Sequence, residues 1–205
     1  LMRSSAASDV YKRQHALGHP IVIDPVGVSG SSYRREKCLE LMKIIHPTCI
    51  RGNYSEIQAL LHNCGTVTGV DAAEDALVEA EETDLPELMK QYAKENQMIL
   101  VASGEADLIT DGSCVYRCHN GSPMMARITG SGCMSTVMLG AFLSAENSVE
   151  SAVACCAFTG IAGELAAKET TAQKRGTMTF RNWFIDAVSL MTPEQLEHGT
   201  NVDWF

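Results

Sequence analysis

The chain has 205 residues, 45% hydrophobic, 20% charged and 6% aromatic, which is enough apolar material for one folded domain and too much for a disordered chain. Its net charge of −9 comes with acids crowded between residues 71 and 87 and with no basic block. That balance argues against nucleic-acid and anionic-membrane partners, yet leaves a small phosphorylated ligand open, because such a ligand needs only a local site. No apolar run reads as long enough to span a membrane and no signal peptide is read at the start, so a reducing cytoplasm is the expected setting.

Residues 4–14 do not read like the rest. Asp9-Val10-Tyr11-Lys12-Arg13-Gln14 matches, codon by codon, GAT GTG TAT AAG AGA CAG, a transposase end used in sequencing libraries, and the Ser-Ser-Ala-Ala-Ser before it continues that adapter. Residues 1–14 are therefore set aside as translated adapter, and residues 15–205 are read as a single domain that begins in mid-gene near His15.

From there the elements alternate. Residues 21–23 (Ile-Val-Ile) form a short β-branched run ending in Asp24-Pro25, a buried strand with a carboxylate at its C-terminal end. Residues 32–45 repeat Leu39, Met42 and Ile45 at helical spacing. Residues 48–50 make a second strand that leads through Arg51-Gly52-Asn53 into a helix with Glu56 in its first turn. A helix over 85–97 precedes a third strand at 98–101, and 106–110 with 114–119 reads as a hairpin around Asp111-Gly112. Long apolar helices over 133–145 and 149–168 precede a last one over 180–191. Strand–helix alternation of this kind predicts an α/β fold with a mostly parallel sheet covered by helices on both faces. No internal repeat, low-complexity tract or interdomain linker interrupts it.

Eight cysteines, at 38, 49, 64, 114, 118, 133, 155 and 156, fall mostly inside apolar runs and read as buried free thiols rather than a disulfide framework. Cys114, Cys118 and His119 do not make a zinc site, since in a strand Cys114 and Cys118 share a face but lie too far apart to chelate one ion.

Cys133 differs in its surroundings. Residues 129–133 read Thr-Gly-Ser-Gly-Cys and feed straight into a helix, where backbone N–H groups and the positive end of the macrodipole bind anions and glycines let a phosphate approach. A thiol held there is a candidate base or nucleophile beside a phosphate. In an open α/β sheet, ligands collect at the C-terminal ends of the strands. The sequence puts Asp24, Arg51 with Asn53, Ser103-Gly104-Glu105 and the loop of residues 129–133 at such ends. An acid, a guanidinium, a second acid at Glu56 and an anion hole suit magnesium-assisted transfer of a γ-phosphoryl group.

Five motifs together carry a specific resemblance: Asp24-Pro25-Val26-Gly27-Val28, Arg51-Gly52-Asn53-x-Ser55-Glu56-Ile57, Ser103-Gly104-Glu105-x-Asp107, His119-Asn120-Gly121, and Thr129-Gly130-Ser131-Gly132-Cys133. The chain, from about His15 to its last helix, resembles the hydroxyethylthiazole kinases of the thiamine pathway, within the ribokinase-like superfamily. Cysteine at position 133, where that superfamily usually has aspartate, favours the thiazole kinases over hydroxymethylpyrimidine or pyridoxal kinases. A catalytically inactive nucleotide-binding fragment is the alternative from another class. The resemblance implies ATP as co-substrate, Mg2+, and a thiazole alcohol as acceptor. It implies that Arg51, Ser103 and Thr129 bind ATP and that Gly130 lies against the thiazole. It further implies that Gly130, Ser131, Gly132 and Cys133 form the anion hole, that Asp24 and Glu56 serve the metal, and that Cys133 is catalytic. Such kinases are implied to be homotrimers with sites at subunit boundaries. The family's opening segment has no counterpart before His15, which implies a weakened thiazole-binding wall and little activity for the chain as written.

Overall fold

The protein is described by a computed structural model covering residues 5–63 and 85–205. Cys64 and residues 71–84 of the acidic stretch lie outside the described residues. In chain order the elements are α1 (Ser5–Ala16), β1 (Val22–Ile23), α2 (Ser32–Ile45), β2 (Cys49–Asn53), α3 (Tyr54–Asn63), α4 (Leu85–Asn96), β3 (Ile99–Ser103), β4 (Asp107–Thr110), β5 (Val115–Cys118), α5 (Ser131–Ala145), α6 (Val149–Ala172), α7 (Thr177–Leu190), α8 (Pro193–Gly199) and β6 (Val202–Trp204). A single 3-10 turn, Met125–Arg127, precedes α5. The strands form one sheet in the order β1-β2-β3-β4-β5-β6. β1 runs parallel to β2, with Val22 opposite Cys49, whereas β6 closes the other edge antiparallel to β5, with Tyr116 opposite Trp204.

The chain divides into two compact units, Leu1–Ala102 with Thr110–Val115, and Ser103–Ile109 with Tyr116–Phe205. In the first, Thr48 joins neighbouring strands. Its hydroxyl accepts the Ile21 N–H at 3.0 Å, its own N–H donates to the Ile21 carbonyl at 2.9 Å, and its carbonyl accepts the Ile99 N–H at 2.9 Å. β3 is buried along nearly its whole length, as expected of a strand covered on both faces. α4 buries Leu85, Met89, Tyr92 and Ala93, one stripe at helical spacing. The turn after β4 is held by Thr110, whose hydroxyl donates to the Cys114 carbonyl at 2.6 Å and accepts the Gly112 N–H at 3.0 Å. Gly112 has φ 96°, and a Cβ there would meet the Lys94 backbone at 2.6 Å, so both the conformation and the space demand glycine. Residues 5–14 of the stretch set aside in the sequence are helical, within α1, and α1 packs against α2.

The second unit is built around α6, which packs against α5, α7 and α8. Its core joins Ala162 and Ala166 to Phe180, Phe184 and Ile128, and partly buried Met124, Met125, Met134 and Met138 pack around them. α6 runs past its expected end at residue 168 and reaches 24 residues. By length and composition it matches a membrane span, contrary to the sequence reading, but 61% of its apolar window is buried inside the protein, so it serves as a core helix. Small residues on α6 allow close approach. A Cβ on Gly160 would lie 2.5 Å from the carbonyl carbon, the oxygen and the Cβ of Asn120.

Three further differences from the sequence reading have local causes. β2 continues beyond Ile50 because Arg51 and Gly52 are themselves buried. α5 starts at Ser131 instead of Cys133, since Gly130 with φ 93° turns the chain into the helix directly. α8 was not expected, although Thr192 and Gln195 form a reciprocal capping box, with bonds of 3.3 and 2.9 Å, around a proline at the first helical position. The packing of α6 on Asn120 sets a test. Gly160→Ala should cost about 1–3 kcal/mol through overpacking against backbone that cannot give way. Thermal unfolding checks it at roughly 2–4 °C per kcal/mol, and an unchanged Tm would contradict the close approach.

Candidate active site

The first group of site residues gathers in the first unit around Glu56. β2 ends at Asn53, which also caps α3. The Asn53 Oδ1 accepts the Glu56 N–H at 2.9 Å and the Ser55 hydroxyl at 2.8 Å, while Glu56 Oε2 accepts the Asn53 N–H at 3.0 Å. This is a capping box with asparagine as the cap. The other Glu56 oxygen, Oε1, accepts the Gly27 N–H at 2.8 Å from the turn that follows β1. In that turn the Val28 N–H donates to the Pro25 carbonyl at 3.2 Å, and Gly27, with φ 76°, takes the left-handed conformation that a type II turn needs at its third position. Gly52 lies beneath, where an added Cβ would be 3.2 Å from Pro25 Cγ and 3.2 Å from Glu56 Cβ. One buried carboxylate therefore ties the segment carrying Asp24 to the end of β2 carrying Arg51. Arg51 is itself only 9% exposed.

The Glu56 carboxylate, and that of Asp24 on the tied segment, are hard oxygen donors of the kind magnesium takes. Among the described residues no three His, Cys, Asp or Glu side chains converge as a metal cage. Magnesium does not require one, because it keeps several waters and is held by one or two carboxylates together with substrate phosphates. Each Glu56 oxygen accepts one backbone N–H, and a carboxylate oxygen has a second lone pair to offer.

The second group lies in the second unit. Ser103 ends β3, and the following turn is fixed by the Gly104 N–H donating to Asp107 Oδ1 at 3.2 Å. Thr129 is exposed and Gly130 opens α5 with no side-chain cap; a Cβ on Gly130 would meet nothing within 4 Å. Ser131, Gly132 and Cys133 make the first helical turn. Ser131 is anchored through its hydroxyl to the Met125 carbonyl at 2.9 Å, and in turn its carbonyl accepts the Ser135 hydroxyl at 2.9 Å. Cys133 is exposed, whereas Cys49, Cys118, Cys155 and Cys156 are buried free thiols and Cys38 and Cys114 are partly buried. Burial pushes the Cys118 thiol up to about 11, with the charges of Asp107 and Glu164 adding to that against a hydrogen bond with the Asn120 backbone. Cys118 is thus an inert core thiol.

Comparison with known proteins gives the same answer as the motifs. The hydroxyethylthiazole kinase family model matches residues 2–194. The chain belongs to the hydroxyethylthiazole kinase family. It is 38% identical to hydroxyethylthiazole kinase 1 of Methanosphaera stadtmanae, over 83% of this chain and 62% of that protein, and 35% identical to the hydroxyethylthiazole kinase of Clostridium acetobutylicum, over 94% and 71%. The structure of a hydroxyethylthiazole kinase protein from Pyrococcus horikoshii OT3 superposes with a TM-score of 0.80 at 25% identity, covering 97% of this chain and 70% of that one. The chain therefore spans 62% to 71% of the length of these relatives. Its α/β fold is ribokinase-like, as the sequence predicts.

Sequence reasoning missed two members of the second unit. Asn120 was noted only as part of a motif and Glu164 not at all. The one available signal for Glu164 was an isolated acid in the small-residue run Gly160-Ile161-Ala162-Gly163 of α6.

The Glu56 clamp yields a direct test. Glu56→Ala leaves the Gly27 and Asn53 N–H groups without their acceptor and should cost about 1–3 kcal/mol. Glu56→Gln, retaining one acceptor oxygen, should lose less. Urea unfolding that finds Glu56→Ala as stable as the parent would contradict the clamp.

Proposed function

We propose that the protein transfers the γ-phosphoryl group of ATP to the primary hydroxyl of 4-methyl-5-(2-hydroxyethyl)thiazole. One observation carries the reading in this chain: Gly130 turns by a left-handed conformation into the uncapped start of α5, and the exposed Cys133 sits in that first turn. Family membership supplies the substrate class, since the relatives are hydroxyethylthiazole kinases by name.

In this reading the backbone of Gly130, Ser131, Gly132 and Cys133 receives the transferring phosphoryl group, where helix N–H groups and the macrodipole favour negative charge. Gly130 leaves room for the thiazole ring, because nothing in the protein lies where its Cβ would be. Cys133, as its thiolate, takes the hydroxyl proton as the oxygen attacks the γ-phosphorus. The new oxygen–phosphorus bond forms while the bond to ADP breaks, and the proton passes from sulfur to solvent. Arg51, Ser103 and Thr129 bind ATP, with the Arg51 fork suited to paired phosphate oxygens. Asp24 and Glu56 hold magnesium, which when bound offsets phosphate charge. A homotrimer, from the family resemblance, and a cytoplasmic setting, from the free-thiol reading of the sequence, complete the reading.

The test is ATP-dependent phosphorylation of the thiazole alcohol. Cys133→Ala should lower kcat by about 10²–10⁴-fold, the usual worth of a general base, and leave the KM for ATP nearly unchanged. Cys133→Asp should retain activity because a carboxylate accepts the same proton. Full activity in Cys133→Ala would remove the base from the mechanism, and no thiazole phosphorylation by the parent chain would overturn the function.

A further inference from the structure

We propose that Glu164 is a positioning residue for phosphoryl transfer: through Gly121 and Asn120 it fixes the loop on which the first turn of α5 is seated. The proposal rests on the reading of that turn as the phosphoryl site.

Glu164 lies on α6 and is exposed, as a solvating surface acid would be, but its bonds are not those of a solvating acid. A single oxygen, Oε1, accepts the backbone N–H of Gly121 at 2.9 Å and the Asn120 Nδ2 at 3.1 Å. Asn120 uses its remaining groups inside the same unit: Nδ2 also donates to the Gly199 carbonyl at 2.8 Å, and Oδ1 accepts the Asn201 N–H at 2.8 Å and the Cys118 thiol at 3.8 Å. The end of β5 is thereby pinned to α6 on one side and to the chain between α8 and β6 on the other.

α6 meets this loop at three positions spaced like one helical face. Gly160 permits the Asn120 backbone to approach, a Cβ on Gly163 would collide with Met125 Sδ, and Glu164 grips Gly121. From Gly121 the chain folds tightly onto itself, with the Met124 N–H donating to the Ser122 hydroxyl at 3.3 Å and the Met125 N–H to the Ser122 carbonyl at 2.9 Å. The Met125 carbonyl then accepts the Ser131 hydroxyl. Glu164, Gly121, Ser122, Met125 and Ser131 form one connected route from the side of α6 to the first residue of α5. Along it, two acceptor bonds are required of Glu164 and its charge is not.

This distinguishes positioning from a general structural or electrostatic role. Glu164→Gln keeps an acceptor oxygen for both donors and should behave like the parent. Glu164→Ala should lower kcat for the thiazole alcohol by about 10–100-fold, the scale expected for a displaced reacting group, with a much smaller change in the KM for ATP. A second readout needs no turnover: the alkylation rate of Cys133 by iodoacetamide, followed on its own peptide by mass spectrometry in native protein, should change in Glu164→Ala and stay at the parent value in Glu164→Gln. Equal kcat and equal alkylation across the three proteins would overturn the proposal, as would equal losses in Gln and Ala, which would assign the effect to charge. If the parent itself phosphorylates no thiazole, the active-site reading fails and the alkylation rates alone decide whether Glu164 positions the turn.

Discussion

The left-handed backbone at Gly130 is the constraint on which the start of α5, the proposed phosphoryl site, depends. An ordinary residue at φ 93° would be strained, and a capping side chain in its place would occupy the helix start that an anion would otherwise use. Glycine solves both problems but holds nothing in place by itself. The neighbouring turn therefore has to be fixed from outside, and the Ser131 hydroxyl does this by reaching back to the Met125 carbonyl. The 3-10 turn that offers that carbonyl rests on Gly163 of α6 through Met125. Rigidity at the site is imported from the most deeply packed helix of the unit.

A similar device appears in each unit. Glu56 holds the Gly27 turn and the start of α3 through two backbone N–H groups, and Glu164 holds Gly121 and Asn120 through one oxygen. In both places a glycine allows the close approach, Gly52 beside Glu56 and Gly160 beside Asn120. Hydrogen bonds from backbone N–H groups to a carboxylate are stronger than neutral ones, so one side chain can fix a loop that has no strand or helix partner of its own. Acids are readily read as metal ligands, yet much of the work of these two is mechanical. Glu56 has lone pairs left for a metal-bound water, and the two roles are compatible.

Most of the fold was legible because its signals were local. The β-branched run at residues 21–23, the apolar run at 98–101 and the Asp111-Gly112 turn each announced an element in or near its observed place. α2 begins and ends where Leu39, Met42 and Ile45 predict. The misses came from long-range effects. A buried arginine breaks the apolar pattern of β2 without ending the strand, and the Ala- and Gly-rich α6 continues past its last strongly apolar stretch while still burying Ala166 and Thr170 on one side. β6 is a short edge strand whose pairing with β5 is set by Asn201, and no periodicity within three residues reveals that. In the site, residue types at the strand ends were readable, as were Gly130 and Cys133. The support for them was not, since the bonds from Glu164 and Asn120 cross 43 to 81 positions of sequence.

In the proposed function, phosphate charge is held at the first turn of α5. Titration of uniformly 15N-labelled protein with ATP, followed by amide NMR, measures this directly. Saturable shifts centred on the N–H groups of Ser131, Gly132 and Cys133 are the predicted result. Saturable shifts elsewhere that leave those three amides unmoved would contradict it.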